Sequence, residues 1–185
     1  NWVRNVESYG GLFDQIAVRM GDFIKNLLNI PGDEAYRIQK EYFLRYGTTL
    51  SGLMDRHDVD PHAFLHHVHD IDVTPIPPNP RLSALLDRLP GRKLVYTNGT
   101  APHAERVLNR LGVAAHFDGI YDITASDFVP KPQPGPYTRF VEHFSVDPKR
   151  AVMVEDMARN LKPAAEVGMT TVWLRTHYHW SAVDA

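Results

Sequence analysis

The sequence predicts an α/β fold, a doubly wound parallel sheet with an all-helical region in front of it, and three observations carry that prediction. Residues 12–69 hold apolar side chains at helical spacing with few β-branched runs, and residues 93–174 alternate short apolar runs with amphipathic ones. Between them lies Thr74-Pro75-Ile76-Pro77-Pro78-Asn79-Pro80, where repeated proline removes backbone donors and favours extended chain.

Taken in order, the helical region reads as helices over 12–28, 32–46, 49–57 and 61–69. Their edges are marked by Pro31-Gly32-Asp33, by Tyr46-Gly47-Thr48 and by Asp60-Pro61, with Asp60 suited to cap a helix and Pro61 to open one. Phe13, Ile16, Met20, Phe23 and Leu27 fall on one face and read as core. The proline-rich stretch reads as a connector between domains. Beyond it the spacing predicts strands over 93–97, 119–124, 151–154 and 170–174, and helices over 102–111, 135–144 and 158–167. Gly112 and Gly168 stand where helices end before the next strand. Strand–helix alternation with short connections implies right-handed βαβ units and a parallel sheet.

Composition narrows the function. A chain of 185 residues with 43% hydrophobic content buries one good core and has room for a small insert. A formal net charge of −2 gives no whole-chain reason to expect nucleic acid or an acidic membrane as partner. With no cysteine, disulfides, thiolate metal sites and a cysteine nucleophile are excluded, and the compartment leans cytoplasmic. No run approaches eighteen apolar residues, and no basic stretch leads into an apolar one at the start, so a soluble protein is expected.

In a parallel sheet, ligands gather beyond the carboxyl ends of the strands, and the polar clusters of this chain fall there. Thr97, Asn98 and Gly99 follow one strand, Lys131-Pro132 lies in the loop after another, and Glu155-Asp156 closes a third. Alone, Thr-Asn-Gly is ordinary turn chemistry, Glu-Asp an ordinary cap, and Lys131 an ordinary solvated loop residue. In this order they combine short polar donors, a compact ammonium and a carboxylate pair, which is the chemistry that holds phosphate and a hard divalent cation.

This order resembles the second, third and fourth motifs of the haloacid dehalogenase (HAD) superfamily. Leu12-Phe13-Asp14-Gln15, Tyr46-Gly47-Thr48-Thr49-Leu50, Val68-His69-Asp70-Ile71-Asp72 and Glu155-Asp156-Met157-Ala158-Arg159-Asn160-Leu161 resemble the pyrimidine 5′-nucleotidase group within it. The resemblance implies a Rossmann-like core over 75–185, a helical cap domain over 12–74, Mg²⁺ and hydrolysis of a small phosphorylated substrate, with nucleotides among the options. It makes Thr97 and Asn98 catalytic and phosphate-orienting donors, with the Gly99 N–H beside them. The same resemblance implies that Lys131 neutralises the transferring phosphoryl group, that Asp156 with Glu155 holds the metal, and that Asn160 orients the loop or a metal-bound water.

The resemblance also implies a first strand ending in Asp-x-Asp, whose first carboxylate attacks phosphorus. Residues 1–11 contain no aspartate; Glu7 is their one carboxylate. They read as a degenerate or incomplete first core strand, with Trp2 to Val6 filling its slot and Asp14 at the start of the following helix.

Two other readings stay open. One is a catalytically silent phosphate-binding or interaction protein that keeps the fold. The other is a metal hydrolase built on His62, His66, His67 and His69, of which His62 and His66 share a helix face; His57-Asp58 and His69-Asp70 are weaker hints of the same chemistry. Tyr42, Tyr46, Thr48, Thr49 and His69 are candidates to meet a leaving nucleoside, and His177, Tyr178, His179 and Trp180 read as packing residues.

Overall fold

A computed structural model describes the backbone of residues 3–176 and the side chains of residues 11–176. The expected packing of His177 to Trp180 and the placement of Trp2 lie outside the described residues. The chain forms two compact units, Asn1–Phe128 and Val129–Ala185.

The first unit opens with α1, Val3–Leu28, followed by α2, Gly32–Tyr46, α3, Thr49–His57, and α4, Pro61–His69. The capping chemistry read from sequence is present. Thr48 accepts from the Ser51 N–H at 3.1 Å, Asp60 accepts from the His62 N–H at 3.0 Å, and Pro61 occupies the first position of α4. Gly47 ends α2 at φ 83°, a left-handed backbone that a side chain would strain.

Residues 3–11 differ from expectation, being the first turns of α1 rather than a strand. No proline precedes Pro31, so a helix nucleated over the amphipathic 12–28 segment propagates backwards without a second nucleation cost. Asp14 consequently lies inside α1 instead of at its start. The apolar stripe of α1 is also only partly core. Met20 and Phe23 pack on the buried cluster and Ile24 is its most enclosed α1 member, whereas Phe13 is 60% and Leu27 42% exposed. Gln15 exchanges hydrogen bonds with the backbone of Asp72, and the Arg19 side chain donates to the His67 carbonyl. Those contacts already flank the chain at and beyond the end of α4, so Phe13 has run past its partner.

The buried cluster joins Ile24, Ala35, Tyr42, Leu50, Leu53, Val59, Phe64, Leu65 and Val68 of the helical region with Ile123. Its tightest contact is at Gly52, where a Cβ would stand 2.5 Å from Cγ of Tyr42. Tyr42 is fixed in turn by a 2.7 Å hydrogen bond between its hydroxyl and His57 Nε2, and by an edge-to-face contact with Tyr46.

The proline-rich stretch does not separate the compact units. Its Ile76 is buried, Arg110 donates to the carbonyls of Thr74 and Ile76, and one turn earlier Arg106 donates to those of His69 and Ile71 just before the stretch. The stretch ends in a helix outside the expected elements, α5, Pro80–Arg88, which Asn79 caps by accepting from the Leu82 N–H. Next come β1, Leu94–Tyr96, α6, Ala101–Leu111, and β2, Gly119–Tyr121, with β1 and β2 parallel and Tyr96 opposite Tyr121.

The second unit holds α7, Pro134–His143, β3, Val152–Glu155, a 3₁₀ turn at Ala158–Asn160, α8, Leu161–Glu166, and β4, Thr170–Trp173. Strands β3 and β4 are parallel, with Glu155 opposite Trp173. Alternating helices and parallel strands confirm the α/β class. Among the described residues no helix is long and apolar enough to cross a membrane.

Replacing Gly52 by Ala drives a methyl into the Tyr42 ring. The expected result is a loss of about 1–3 kcal/mol in urea unfolding, with Tyr42→Leu in the same background recovering part of it.

Candidate functional site

Each unit carries one cluster built from the sequence motifs. In the first, the turn after β1 is tied to the end of β2. The Thr97 N–H donates to the Tyr121 carbonyl at 2.9 Å, and the Ile123 N–H donates to the Gly99 carbonyl at 3.1 Å, extending the parallel pairing past the strands. Inside the turn, the Gly99 N–H donates to Thr97 Oγ1 at 2.9 Å. That bond uses a lone pair of the hydroxyl and leaves its proton to donate elsewhere. Asn98 in the same turn is half-buried.

Asp122, absent from the sequence-derived set, anchors this turn. Its Oδ2 accepts from the Ala101 N–H and its Oδ1 from the Ala125 N–H, both at 2.8 Å. A carboxylate at the end of an expected strand was the available signal, by the same rule that singled out Thr97 and Glu155.

Of the five residues suggested to face a nucleoside, only His69 reaches a motif. Its Nδ1 lies 3.0 Å from Thr100 Oγ1, and its ring stacks on His103 with centroids 4.4 Å apart. Burial, then the neighbouring His103 and Arg106, push the His69 pKa down to about 4; burial and Arg106 lower His103 as well. Tyr42, Tyr46, Thr48 and Thr49 serve the helical packing instead: Thr49 is buried and donates to the Gln39 carbonyl, and Thr48 caps α3.

The suggested histidine metal site is dispersed. His62 meets the Phe128 ring edge-on, His66 is exposed, His67 lies against Phe23, and His69 faces α6. Among the described residues no group of three or more His, Asp or Glu side chains is placed to hold a metal.

In the second unit Lys131 is not the solvated loop residue its local sequence describes. It is buried, and its Nζ lies 2.6 Å from Glu155 Oε2, with both side chains at most a tenth exposed. Glu155 also accepts from the Met157 N–H at 3.3 Å. Burial by itself would raise the Glu155 pKa, but the Lys131 charge and hydrogen bonds from Lys131, Asp156 and Asn160 outweigh it and hold Glu155 low. Asp156 goes the other way, pushed up to about 6 by burial and then by its hydrogen bond to Glu155 and the charge there.

Asn160 closes the cluster. It is 3% exposed and its backbone carbonyl accepts from the buried Tyr137 hydroxyl at 2.7 Å, yet its Oδ1 has no hydrogen-bond partner. The Asp156 backbone carbonyl accepts from Trp173 Nε1 at 2.9 Å, linking the end of β3 to β4. The structure thus brings Lys131, Glu155, Asp156 and Asn160 together in one unit, and Thr97, Asn98 and Gly99 in the other.

Comparison with known proteins gives the family and the fold. A haloacid dehalogenase-like hydrolase family model matches residues 12–168. Phosphate metabolism protein 8 of Saccharomyces cerevisiae is 28% identical over 171 residues, covering 81% of this chain and 52% of that protein, so the chain spans about half the length of this curated relative. A HAD phosphatase from Thermococcus onnurineus superposes with a TM-score of 0.56 at 23% identity, over 89% of this chain and 79% of that one. An L-2-haloacid dehalogenase from Xanthobacter autotrophicus does so at 0.53 and 16%, over 86% and 71%. At these identities the superpositions speak for the fold.

Two predictions follow from the electrostatics. Glu155→Ala leaves the Lys131 ammonium buried without its counter-charge and is expected to destabilise the protein by about 3–5 kcal/mol, whereas Lys131→Met with Glu155→Leu costs far less; urea unfolding distinguishes them. His69 must stay neutral in the folded chain, so its contribution is complete above pH 6.5 and is lost as pH falls toward 4. Unfolding across that range should show a decline of up to about 3 kcal/mol, and His69→Asn should remove most of the slope. With the α/β architecture, the strand-end clusters and a family match across residues 12–168, the chain belongs to the haloacid dehalogenase-like hydrolases.

Proposed function

We propose that this chain provides the phosphate- and metal-binding machinery of a Mg²⁺-dependent phosphate monoester hydrolase, with pyrimidine nucleoside monophosphates as the substrate class. One observation carries the reading: a buried ammonium stands beside two carboxylates, one of them pushed up to about 6, next to a buried amide oxygen that accepts nothing. These donors fit Mg²⁺, a hard cation that takes oxygen ligands and needs only one or two protein carboxylates when phosphate and water fill the remainder. Asp156 and the Asn160 Oδ1 would hold it, with Glu155 partly committed to Lys131. The bound cation would supply charge neutralisation at the phosphoryl oxygens.

The chain's own residues supply the other requirements of phosphoryl transfer, which are positioning and compensation of negative charge. Lys131 carries a positive charge already stripped of water, so it pairs with an incoming anion more strongly than a solvated lysine would. Thr97 retains a hydroxyl proton to donate to a phosphate oxygen, held in direction by the Gly99 N–H. The family membership, the yeast relative named for phosphate metabolism and the motif resemblance support this assignment. A cytoplasmic location belongs to the same proposal and is supported by the lack of cysteine.

A second reading is phosphate binding without turnover, since none of the residues assigned above takes the part of a nucleophile. Hydrolysis of p-nitrophenyl phosphate with Mg²⁺ separates the two: turnover abolished by Asp156→Asn supports the hydrolase, and phosphate binding with no turnover supports the silent protein. In calorimetry with inorganic phosphate and Mg²⁺, Lys131→Ala is expected to weaken binding at least tenfold and Thr97→Val about tenfold. Magnesium affinity should fall about tenfold per pH unit below pH 6, because the cation then competes with the Asp156 proton. Unchanged phosphate affinity in Lys131→Ala would refute the assignment.

A further inference from the structure

We propose that His69, at the end of the helical layer, is a positioning residue that holds the Thr97–Thr100 turn in its phosphate-binding form; this rests on the phosphate reading above.

Thr100 stands at the N-cap of α6, where a threonine hydroxyl ordinarily accepts from the helix's own first-turn N–H groups. It makes no such bond. Its hydroxyl is turned to His69 Nδ1 at 3.0 Å, so α6 forgoes its own cap in favour of a contact with α4. The His69 ring has a second contact on α6, the stack on His103, and its backbone has a third, the carbonyl that accepts from Arg106 at 2.6 Å. Side chain and backbone of one residue are therefore fastened to the first two turns of the helix that the phosphate turn enters.

The ring also lies over Gly99. A Cβ at that position would meet Thr97 Oγ1 at 3.3 Å and His69 Nε2 at 3.5 Å, so Gly99 sits between the imidazole and the hydroxyl assigned to phosphate. The imidazole limits where the Gly99 backbone can go, and the Gly99 N–H in turn sets the direction of the Thr97 hydroxyl. Neutral imidazole suits this place, since a charged ring would be buried beside Arg106 and His103; its lowered pKa agrees. With one ring nitrogen serving Thr100, the bond to be preserved in a conservative replacement is the one at Nδ1, and an asparagine amide occupies that position.

Calorimetric titration of the full chain with inorganic phosphate and Mg²⁺ at neutral pH tests the proposal, with Lys131→Ala measured alongside. His69→Ala and Thr100→Val should each weaken phosphate binding about five- to tenfold. The double variant should bind no worse than about the weaker single one, because both remove the same contact. His69→Asn should return affinity to within about threefold of the parent, although it lacks the aromatic stack on His103. A merely structural role for the ring predicts the opposite, with Asn no better than Ala and multiplicative losses in the double variant. Phosphate affinity that is unchanged in His69→Ala while Lys131→Ala binds weakly overturns the role of His69 alone. Absent phosphate binding by the parent chain, or indifference to Lys131→Ala, overturns the phosphate reading and this proposal with it.

Discussion

Burying an ammonium in a small α/β unit is tolerable only with an opposite charge in contact, and the Lys131–Glu155 pair at 2.6 Å meets that condition. Much of the second unit's chemistry depends on it. Glu155 is placed by the last register position of β3, opposite Trp173 on β4, so the ammonium is drawn from its loop to the strand's end. Once Glu155 is held ionised by Lys131, the adjacent Asp156 meets both burial and a fixed negative charge, and its affinity for a proton rises. A pair of neighbouring carboxylates thereby acquires two different characters, one held toward the ionised form and the other with a raised affinity for a proton. Asn160, packed from behind by the Tyr137 hydroxyl, offers its unbonded oxygen to the same cluster.

The first unit reaches order by another route. Among the described residues no buried ion pair organises its motif turn; parallel pairing does. Two parallel strands leave the sheet at the same end, so the chain after β1 and the chain after β2 emerge side by side, and the Thr97 and Ile123 backbone bonds continue the ladder beyond it. Asp122 then lies within reach of the N-terminus of α6, where its carboxylate satisfies one of the donors that a helix start leaves open. Residues 97–101 are held from both sides by groups that make no claim on the Thr97 proton.

The helical layer is joined to the strands by the apolar cluster that reaches Ile123 and by hydrogen bonds from α6 to backbone carbonyls. Arg106 and Arg110 lie one turn apart on α6 and occupy carbonyls along 69–76, a stretch that beyond His69 has no helix or strand of its own. Composition alone described that stretch as a boundary. Its prolines do prevent regular structure, but guanidinium groups from a helix some thirty residues later fasten it, so extended chain here is a strap and not a division.

Local signals in the chain were sufficient for the elements themselves. Helices at 32–46, 49–57 and 61–69 carry their apolar spacing and caps within a few residues, and Thr97 and Glu155-Asp156 mark the ends of β1 and β3. Tertiary structure alone decided the rest. The reach of α4 left Phe13 exposed, and a carboxylate twenty-four residues away turned Lys131 from a surface residue into a buried one. Spacing within a segment specifies which face seeks burial. Which partner covers that face, and which charge meets which, depends on groups brought together only by folding.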